Sequence, residues 1–106
     1  KLDYVKIFVY EEESIIKGFI EIECHYETTD IINIAVLKEY QNQGIASSLL
    51  NYVIDNINQQ NIILEVRENN IKAIKFYQRN NFKEINRRKK YYDNLYDAII
   101  MERKTI

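Results

Sequence analysis

The sequence predicts a mixed α/β domain with elements in the order β-β-β-α-β-α-β-β, and three observations predict it. Residues 4–10 and 15–25 alternate apolar with polar side chains, which is the period of half-buried strands. An amphipathic helical spacing begins at Ile45 and lies between two short apolar runs, Asp30–Val36 and Ile62–Val66. The 106 residues, 46% hydrophobic and 29% charged, have room for one core and for a single domain over residues 1–106.

Taken in order, residues 4–10 and 15–25 flank an acidic turn, Glu11 to Ser14, and read as an antiparallel hairpin. Phe19 and the series Ile20, Ile22, Cys24 face opposite sides of it. Residues Asp30–Val36 are apolar nearly throughout and read as a central strand buried on both faces. The helix predicted over about residues 44–58 buries Ile45, Leu49, Leu50, Val53, Ile54 and Ile57. Ile62–Val66 is then a strand parallel to the third, since a helix separates them as a βαβ unit requires. Asn69 or Asn70 caps a second helix with an apolar stripe of Ile71, Ala73, Ile74, Phe76 and Tyr77. It ends near Asn80, with Asn81 in the left-handed conformation that Asn tolerates. Phe82–Tyr92 and Tyr96–Glu102 close the domain as two strands joined at Asp93-Asn94.

Composition removes several chemistries. One Cys (Cys24) and one His (His25) leave no disulfide framework, no Cys/His zinc site, no Ser-His-Asp triad and no Cys-His dyad, so no metal is expected and neither residue is given a role. A lone Cys suits a reducing, cytoplasmic setting. No apolar run approaches the ~20 residues that span a bilayer, and no basic-then-apolar leader is present. Ile, Asn, Lys and Tyr number 19, 12, 10 and 9, a bias typical of AT-rich codon usage that devalues Asn- or Lys-rich stretches as signals. A net charge of -1 argues against general nucleic-acid affinity. The basic run Arg87-Arg88-Lys89-Lys90 beside Tyr91-Tyr92 reads as a solvated strand end rather than an RNA surface. Glu11–Glu13, Glu21, Glu23 and Glu27 make the first part acidic and could attract a basic peptide, although exposed charges of this kind mainly keep a chain in solution.

A ligand is expected at the C-terminal ends of the two parallel strands. There Tyr40-Gln41-Asn42-Gln43-Gly44-Ile45-Ala46 runs straight into the first helix. Small residues at Gly44 and Ala46 admit a ligand to the backbone, and the first N–H groups of a helix lack internal partners and attract anions, pyrophosphate above all. A Walker loop would need a Lys after its last Gly and a Rossmann loop a third Gly, so ATP and NAD are disfavoured. Gly44 as a plain loop-to-helix joint is the competing reading. Glu65 is the second candidate: a carboxylate inside Ile62–Val66 is expensive to bury unless paired, and partial desolvation would raise its pKa toward that of a general base. Otherwise it faces solvent or pairs with Arg67 or Arg88.

These segments together carry a family resemblance. Asn33-Ile34-Ala35-Val36, Tyr40-Gln41-x-Gln43-Gly44-x-Ala46, Leu64-Glu65-Val66-Arg67, Asn70, Ala73-Ile74, Phe76-Tyr77 and Phe82, followed by Arg88, Tyr91-Tyr92 and Asp97–Met101, resemble the GNAT N-acetyltransferase superfamily. Within it they are most similar to the bacterial ribosomal-protein-alanine N-acetyltransferases (RimI-like). The resemblance implies the GNAT acyl-CoA N-acyltransferase fold, acetyl-CoA as co-substrate, and direct acetyl transfer to an amine, foremost a protein N-terminal α-amine such as that of a ribosomal protein. Small-molecule amines, lysine side chains and an inactive acetyl-CoA-binding module are its alternatives. It assigns the pyrophosphate to Asn42, Gln43, Gly44, Ile45, Ala46 and Ser47, with Gln41 opening the motif, and the pantetheine arm to the backbone of Ile34, Ala35 and Val36. Asn70 contacts the cofactor, and Tyr77 protonates the departing thiolate; read from the residues alone, Tyr77 is equally a core aromatic of the second helix. Val36 N–H is an oxyanion donor if the strand bulges there, and Tyr91 and Tyr92 border the acceptor groove. Leu37-Lys38-Glu39 stands where the family usually has a Pro, and Asn81 where it has a Gly. The family also begins with a further strand and helices that help form the acceptor groove, and this sequence starts near the family's second strand. The edge strand at residues 4–10 offers a pairing surface through which a homodimer would rebuild that wall.

Overall fold

A computed structural model describes residues 3–57 and 61–104. The chain divides into two compact units, residues 1–59 and 60–106. The first holds β1 (Tyr4–Glu12), β2 (Ile15–Cys24), β3 (Thr28–Val36), a 3₁₀ turn (Lys38–Tyr40) and α1 (Ile45–Asn56). The second holds β4 (Asn61–Arg67), α2 (Ile71–Arg79), β5 (Lys83–Tyr92) and β6 (Tyr96–Lys104). Within the first unit the strands run in the order β1-β2-β3, and within the second in the order β4-β6-β5, each pairing antiparallel. The predicted element order and fold class are the observed ones.

In the first unit, Glu13 and Ser14 both have positive φ (54° and 66°), the two-residue turn whose twist matches a hairpin. The strands therefore extend to Glu12 and Ile15, closer than the four-residue acidic turn expected. β2 carries the core: Ile20, Ile22 and Cys24 are fully buried. β1 lies at the edge, with Val5, Ile7 and Val9 exposed on one face and Phe8 on the other, its ring 5.0 Å from that of Tyr52 on α1.

The expectation that Asp30–Val36 is buried on both faces is not met. Thr29 and Ile31 are buried, but Ile32 is 52% exposed and Asn33 and Ala35 are open too. The register explains it. Glu21 pairs with Asn33 and Ile22 with Ile31, so Ile32 is the extra residue of a β-bulge that breaks the alternation. From Glu21↔Asn33 to Gly18↔Val36 the β2–β3 ladder runs without a shift, so the bulge in this pairing falls at Ile32 and not at Val36.

In the second unit, Ile62, Leu64 and Val66 of β4 are buried beside Ala98, Ile99 and Met101 of β6. α2 begins at the expected cap, Asn70, whose side chain accepts from Ala73 N at 3.3 Å. Ile71 is exposed rather than part of the stripe, because it opens the helix. Asn81 has φ 69°, as predicted, and its neighbour Phe82 is buried. α1 runs to Asn56 with Ile57 as its C-cap; residue 58, placed in the helix by the sequence reading, lies outside the described residues.

Two glycines test the first unit. A Cβ at Gly18 would stand 2.8 Å from the Ala35 carbonyl oxygen, whereas Gly44 meets nothing within 4 Å but has φ +82°. Gly18→Ala should lower stability by about 1–3 kcal/mol through overpacking, and Gly44→Ala by about 1–2 kcal/mol through backbone strain. Urea unfolding of both variants checks this; because the added Cβ would crowd the Cγ2 methyls of Ile45 and Val36 at 3.3 Å, only Gly18→Ala should perturb their methyl signals.

Candidate active site

The connection from β3 to α1 is held from beneath by β2. Leu37 N donates to the Lys17 carbonyl at 2.9 Å. The Lys17 ammonium pairs with Glu12 at 2.8 Å and sits 4.5 Å from the centre of the Tyr40 ring. The hydrogen bond to Glu12 outweighs partial burial and raises the lysine pKa, so the ammonium stays charged. Tyr40 N and Gln41 N close the 3₁₀ turn on the Leu37 and Lys38 carbonyls. The Gln41 amide folds back to donate to the Val36 carbonyl at 3.1 Å, and that of Gln43 donates to Glu39 O at 3.5 Å. Gln41 and Gln43 thus shape the loop through its own carbonyls.

Asn42 (φ 64°) and Gly44 (φ 82°) then turn the chain into α1. The first helical bond is Ser48 N to Gly44 O at 3.0 Å, so the N–H groups of Ile45, Ala46 and Ser47 precede the ladder. The helix has no side-chain cap and no acidic residue in its first turn. Three amide dipoles and the positive helix end therefore point out of the loop with no carboxylate to neutralise them, the arrangement that favours a phosphate. The Ile45 side chain is buried and fixes the start of the helix, while Asn42, Gln43 and Gly44 are exposed. Ile34, Ala35 and Val36 pair with Ile20, Phe19 and Gly18 on the β2 side.

In the second unit, Glu65 is not the buried carboxylate expected. Its side chain is 30% accessible, because it lies on the face of β4 opposite Leu64 and Val66. It accepts a hydrogen bond from Tyr92 Oη at 3.0 Å and has Arg88 Nε at 4.0 Å. Burial, then the Glu65 hydrogen bond and charge, push the Tyr92 phenol above its ordinary pKa. Tyr91 stacks edge-on against Tyr92 with ring centres 5.2 Å apart and is 53% exposed. Glu65, Tyr91 and Tyr92, predicted separately, thus form one cluster. Arg67 completes it: its guanidinium lies 5.5 Å from the Tyr92 ring and 4.6 Å from that of Tyr96, and it donates to Asp93 at 3.1 Å. Arg67 Nε is buried with no hydrogen-bond partner among the described residues.

Tyr77 is 7% exposed and packs edge-on between Phe76 and Phe82, with ring centres 5.3 and 5.5 Å away. Burial pushes its phenol up to about 12. Its contacts are those of a core aromatic, and no described contact joins it to Glu65. Asn70 spends its side-chain oxygen on the α2 cap. The sequence reading missed Asp97, a buried carboxylate that accepts from Lys90 N at 2.9 Å, from Arg87 at 3.2 Å and from Lys89 at 3.5 Å. The Lys90 amide first, and the cations after it, hold its carboxyl below the usual range. One acid inside Leu95–Met101 was the signal for it, the same signal that singled out Glu65. Arg87 also binds Glu84 and Glu68, so much of the basic run is matched by carboxylates.

A family model described as an acetyltransferase (GNAT) domain matches residues 3–84. The N-alpha-acetyltransferase of Saccharolobus solfataricus is 40% identical over 77 residues, 69% of this chain and 46% of that protein. The crystal structure of the ribosomal-protein-S18-alanine N-acetyltransferase from Escherichia coli superposes with a TM-score of 0.89 at 30% identity, covering 95% of this chain and 69% of that one. Arabidopsis thaliana Naa50, in complex with the bisubstrate analogue CoA-Ac-MVNAL, gives 0.83 at 29% identity over 92% and 72%. The chain spans about half the length of most of the curated relatives it matches. Among the described residues, no helix is long and apolar enough to cross a membrane.

The raised Tyr77 pKa has a consequence for stability. Below pH 10, the ordinary phenol value, folded and unfolded chains both keep the proton. Above it the unfolded chain releases the proton first, so stability falls from pH 10 and the loss is complete near pH 12. The expected loss is roughly 3 kcal/mol, measured as the difference in alkaline slope of the urea midpoint between wild type and Tyr77→Phe.

Proposed function

We propose, from the premise that this chain belongs to the GNAT acetyltransferase domain family, that its two units act as one domain that moves the acetyl group of acetyl-CoA directly onto a protein N-terminal α-amine. The observation that carries the reading is the uncapped start of α1, three outward N–H groups behind two left-handed residues with no acid in the first turn. In this reading Asn42–Ser47 take the coenzyme's diphosphate, the backbone of Ile34–Val36 pairs with the pantetheine arm, and Asn70 adds a cofactor contact. The N-terminal acceptor is supported by the relatives, an N-alpha-acetyltransferase and a ribosomal-protein-alanine N-acetyltransferase among them.

An α-amine has an ordinary pKa near 8 and is mostly protonated at neutral pH. Glu65, reachable by water, takes that proton directly or through one water molecule. The freed nitrogen attacks the thioester carbonyl, and negative charge develops on its oxygen; the expected oxyanion role of Val36 N–H depended on a bulge at Val36, and in the pairing with β2 the bulge falls at Ile32 instead. The C–S bond then breaks, Tyr77 supplies a proton to the leaving thiolate, and the second proton released by the attacking nitrogen restores the Tyr77 phenol, while Glu65 returns its proton to solvent; the products are an N-acetylated chain and free coenzyme. Tyr91 and Tyr92 frame the acceptor, with Tyr92 orienting Glu65 through its hydroxyl. If a second copy completes the acceptor wall, it pairs at the exposed β1 edge, where Val5, Ile7 and Val9 stand. The free, buried Cys24 suits a cytoplasmic protein.

Mass spectrometry of Ala-starting peptides, lysine peptides and small amines incubated with acetyl-CoA tests the reading. Modification of α-amines is expected, with kcat reduced about 10²–10⁴-fold in Glu65→Gln and in Tyr77→Phe and acetyl-CoA binding by calorimetry retained. Unchanged turnover in both variants overturns the catalytic assignment, and tight acetyl-CoA binding with no turnover on any acceptor identifies an inactive binding module.

A further inference from the structure

The connection between β2 and β3 gathers the chain's single histidine with three carboxylates. Glu23 on β2 and Asp30 on β3 are direct cross-strand partners, a like-charged pair that costs stability unless something positive stands between them. Both turn toward the same atom. His25 Nε2 lies 3.1 Å from Glu23 Oε1 and 3.2 Å from Asp30 Oδ2, and the three donor atoms all lie within 4.8 Å of one another. All three residues are half-buried. On the other side of the ring, His25 Nδ1 is 3.2 Å from Asp3 Oδ2. The backbone fixes the ring's position, since His25 N donates to Thr28 O at 2.9 Å across the turn.

We propose that Glu23, His25 and Asp30 bind a divalent transition-metal ion of the zinc class, with Asp3 as the residue that orients the imidazole. The two spacings from His25 Nε2, 3.1 and 3.2 Å, fit: bonds of 2.0–2.1 Å in tetrahedral geometry put neighbouring donors about 3.3 Å apart. The charges fit as well, because two carboxylates and a neutral imidazole balance a dication, whereas one Nε2–H cannot satisfy two carboxylates fully. A carboxylate on the remote ring nitrogen is the usual companion of a metal-bound histidine, since it selects the tautomer that leaves Nε2 free for the ion. A water molecule would take the fourth position. Gly18↔Val36 lies at the far end of the same strand pair from Cys24↔Thr29, so the ion would clamp the segment before β1 to β2 and β3 rather than touch the cofactor end.

Calorimetry and thermal unfolding of the full chain with zinc chloride, and visible spectroscopy with cobalt(II), test this directly. One equivalent should bind, cobalt(II) should give the intense bands of a four-coordinate site, and zinc at a hundredfold excess over Kd should raise Tm by about 10 °C. His25→Ala should abolish binding, and Asp3→Asn should weaken it about tenfold. The double variant Glu23→Gln/Asp30→Asn relieves the like-charge pair, so it should fold at least as well as wild type without metal and yet show no Tm response to zinc. Absence of a zinc-dependent Tm shift in wild type, or an equal shift in that double variant, overturns the proposal.

Discussion

The connection from β3 to α1 in the first unit depends on one close approach. At Gly18, β2 comes so near β3 that a single added carbon would meet the Ala35 carbonyl at 2.8 Å and the side chains of Ile45 and Val36 at 3.3 Å. The end of the third strand and the first residue of α1 therefore converge over one hydrogen atom. Lys17, the next residue back, holds the intervening loop by its carbonyl to Leu37 and by its ammonium against Glu12 and Tyr40. A loop fixed from below at two neighbouring residues need not be ordered by its ligand, so less of the binding free energy is lost to immobilisation.

An ionic knot plays the corresponding part in the second unit. Asp97 accepts the amide of Lys90, a residue with φ 50°, inside the break in register between Arg88 and Tyr92. Arg87 joins Asp97, Glu84 and Glu68, and Glu68 accepts the Asp97 amide at 2.7 Å. The knot holds β5 to β6 across its irregular stretch, next to the point where Tyr92 reaches Glu65. Arg67, lying beside the rings of both Tyr92 and Tyr96, closes the cluster on its other side.

Much of this is legible in the sequence. The eight elements, the Asn70 cap, the left-handed Asn81 and the loop from Tyr40 to Ala46 follow from period, capping chemistry and tolerance for positive φ, all of which are local. What was misread is non-local. The bulge at Ile32 depends on the partner strand, so an apolar run that looked doubly buried has an exposed side. Glu65 and Asp97 are both acids inside apolar runs, and only registry decides that Asp97 goes inward and Glu65 outward. Gly18 carries a local signal, since the chain has only two glycines and a glycine inside a strand marks close backbone approach, but which strand approaches it is set by pairing. His25 and its carboxylates are spread from residue 3 to residue 30 and meet only through hairpin pairing.

Opposite burial of the two proposed proton-transfer groups suits opposite tasks. The group that accepts a proton from an incoming ammonium must be reached by an amine or a water molecule, and Glu65 is open to both. The group that serves the thiolate must stay protonated at every working pH, and burial of Tyr77 ensures that by pushing its phenol up to about 12. In water a donor at that value is poorly matched to a thiol near 8.5. Desolvation disfavours both anions, however, and raises a thiol enclosed beside the Phe76 and Phe82 rings as it raises the phenol. The mismatch therefore shrinks only for a sulfur held inside the same apolar surroundings, so the proposed role of Tyr77 requires a bound, buried leaving group and not a thiolate already in solvent.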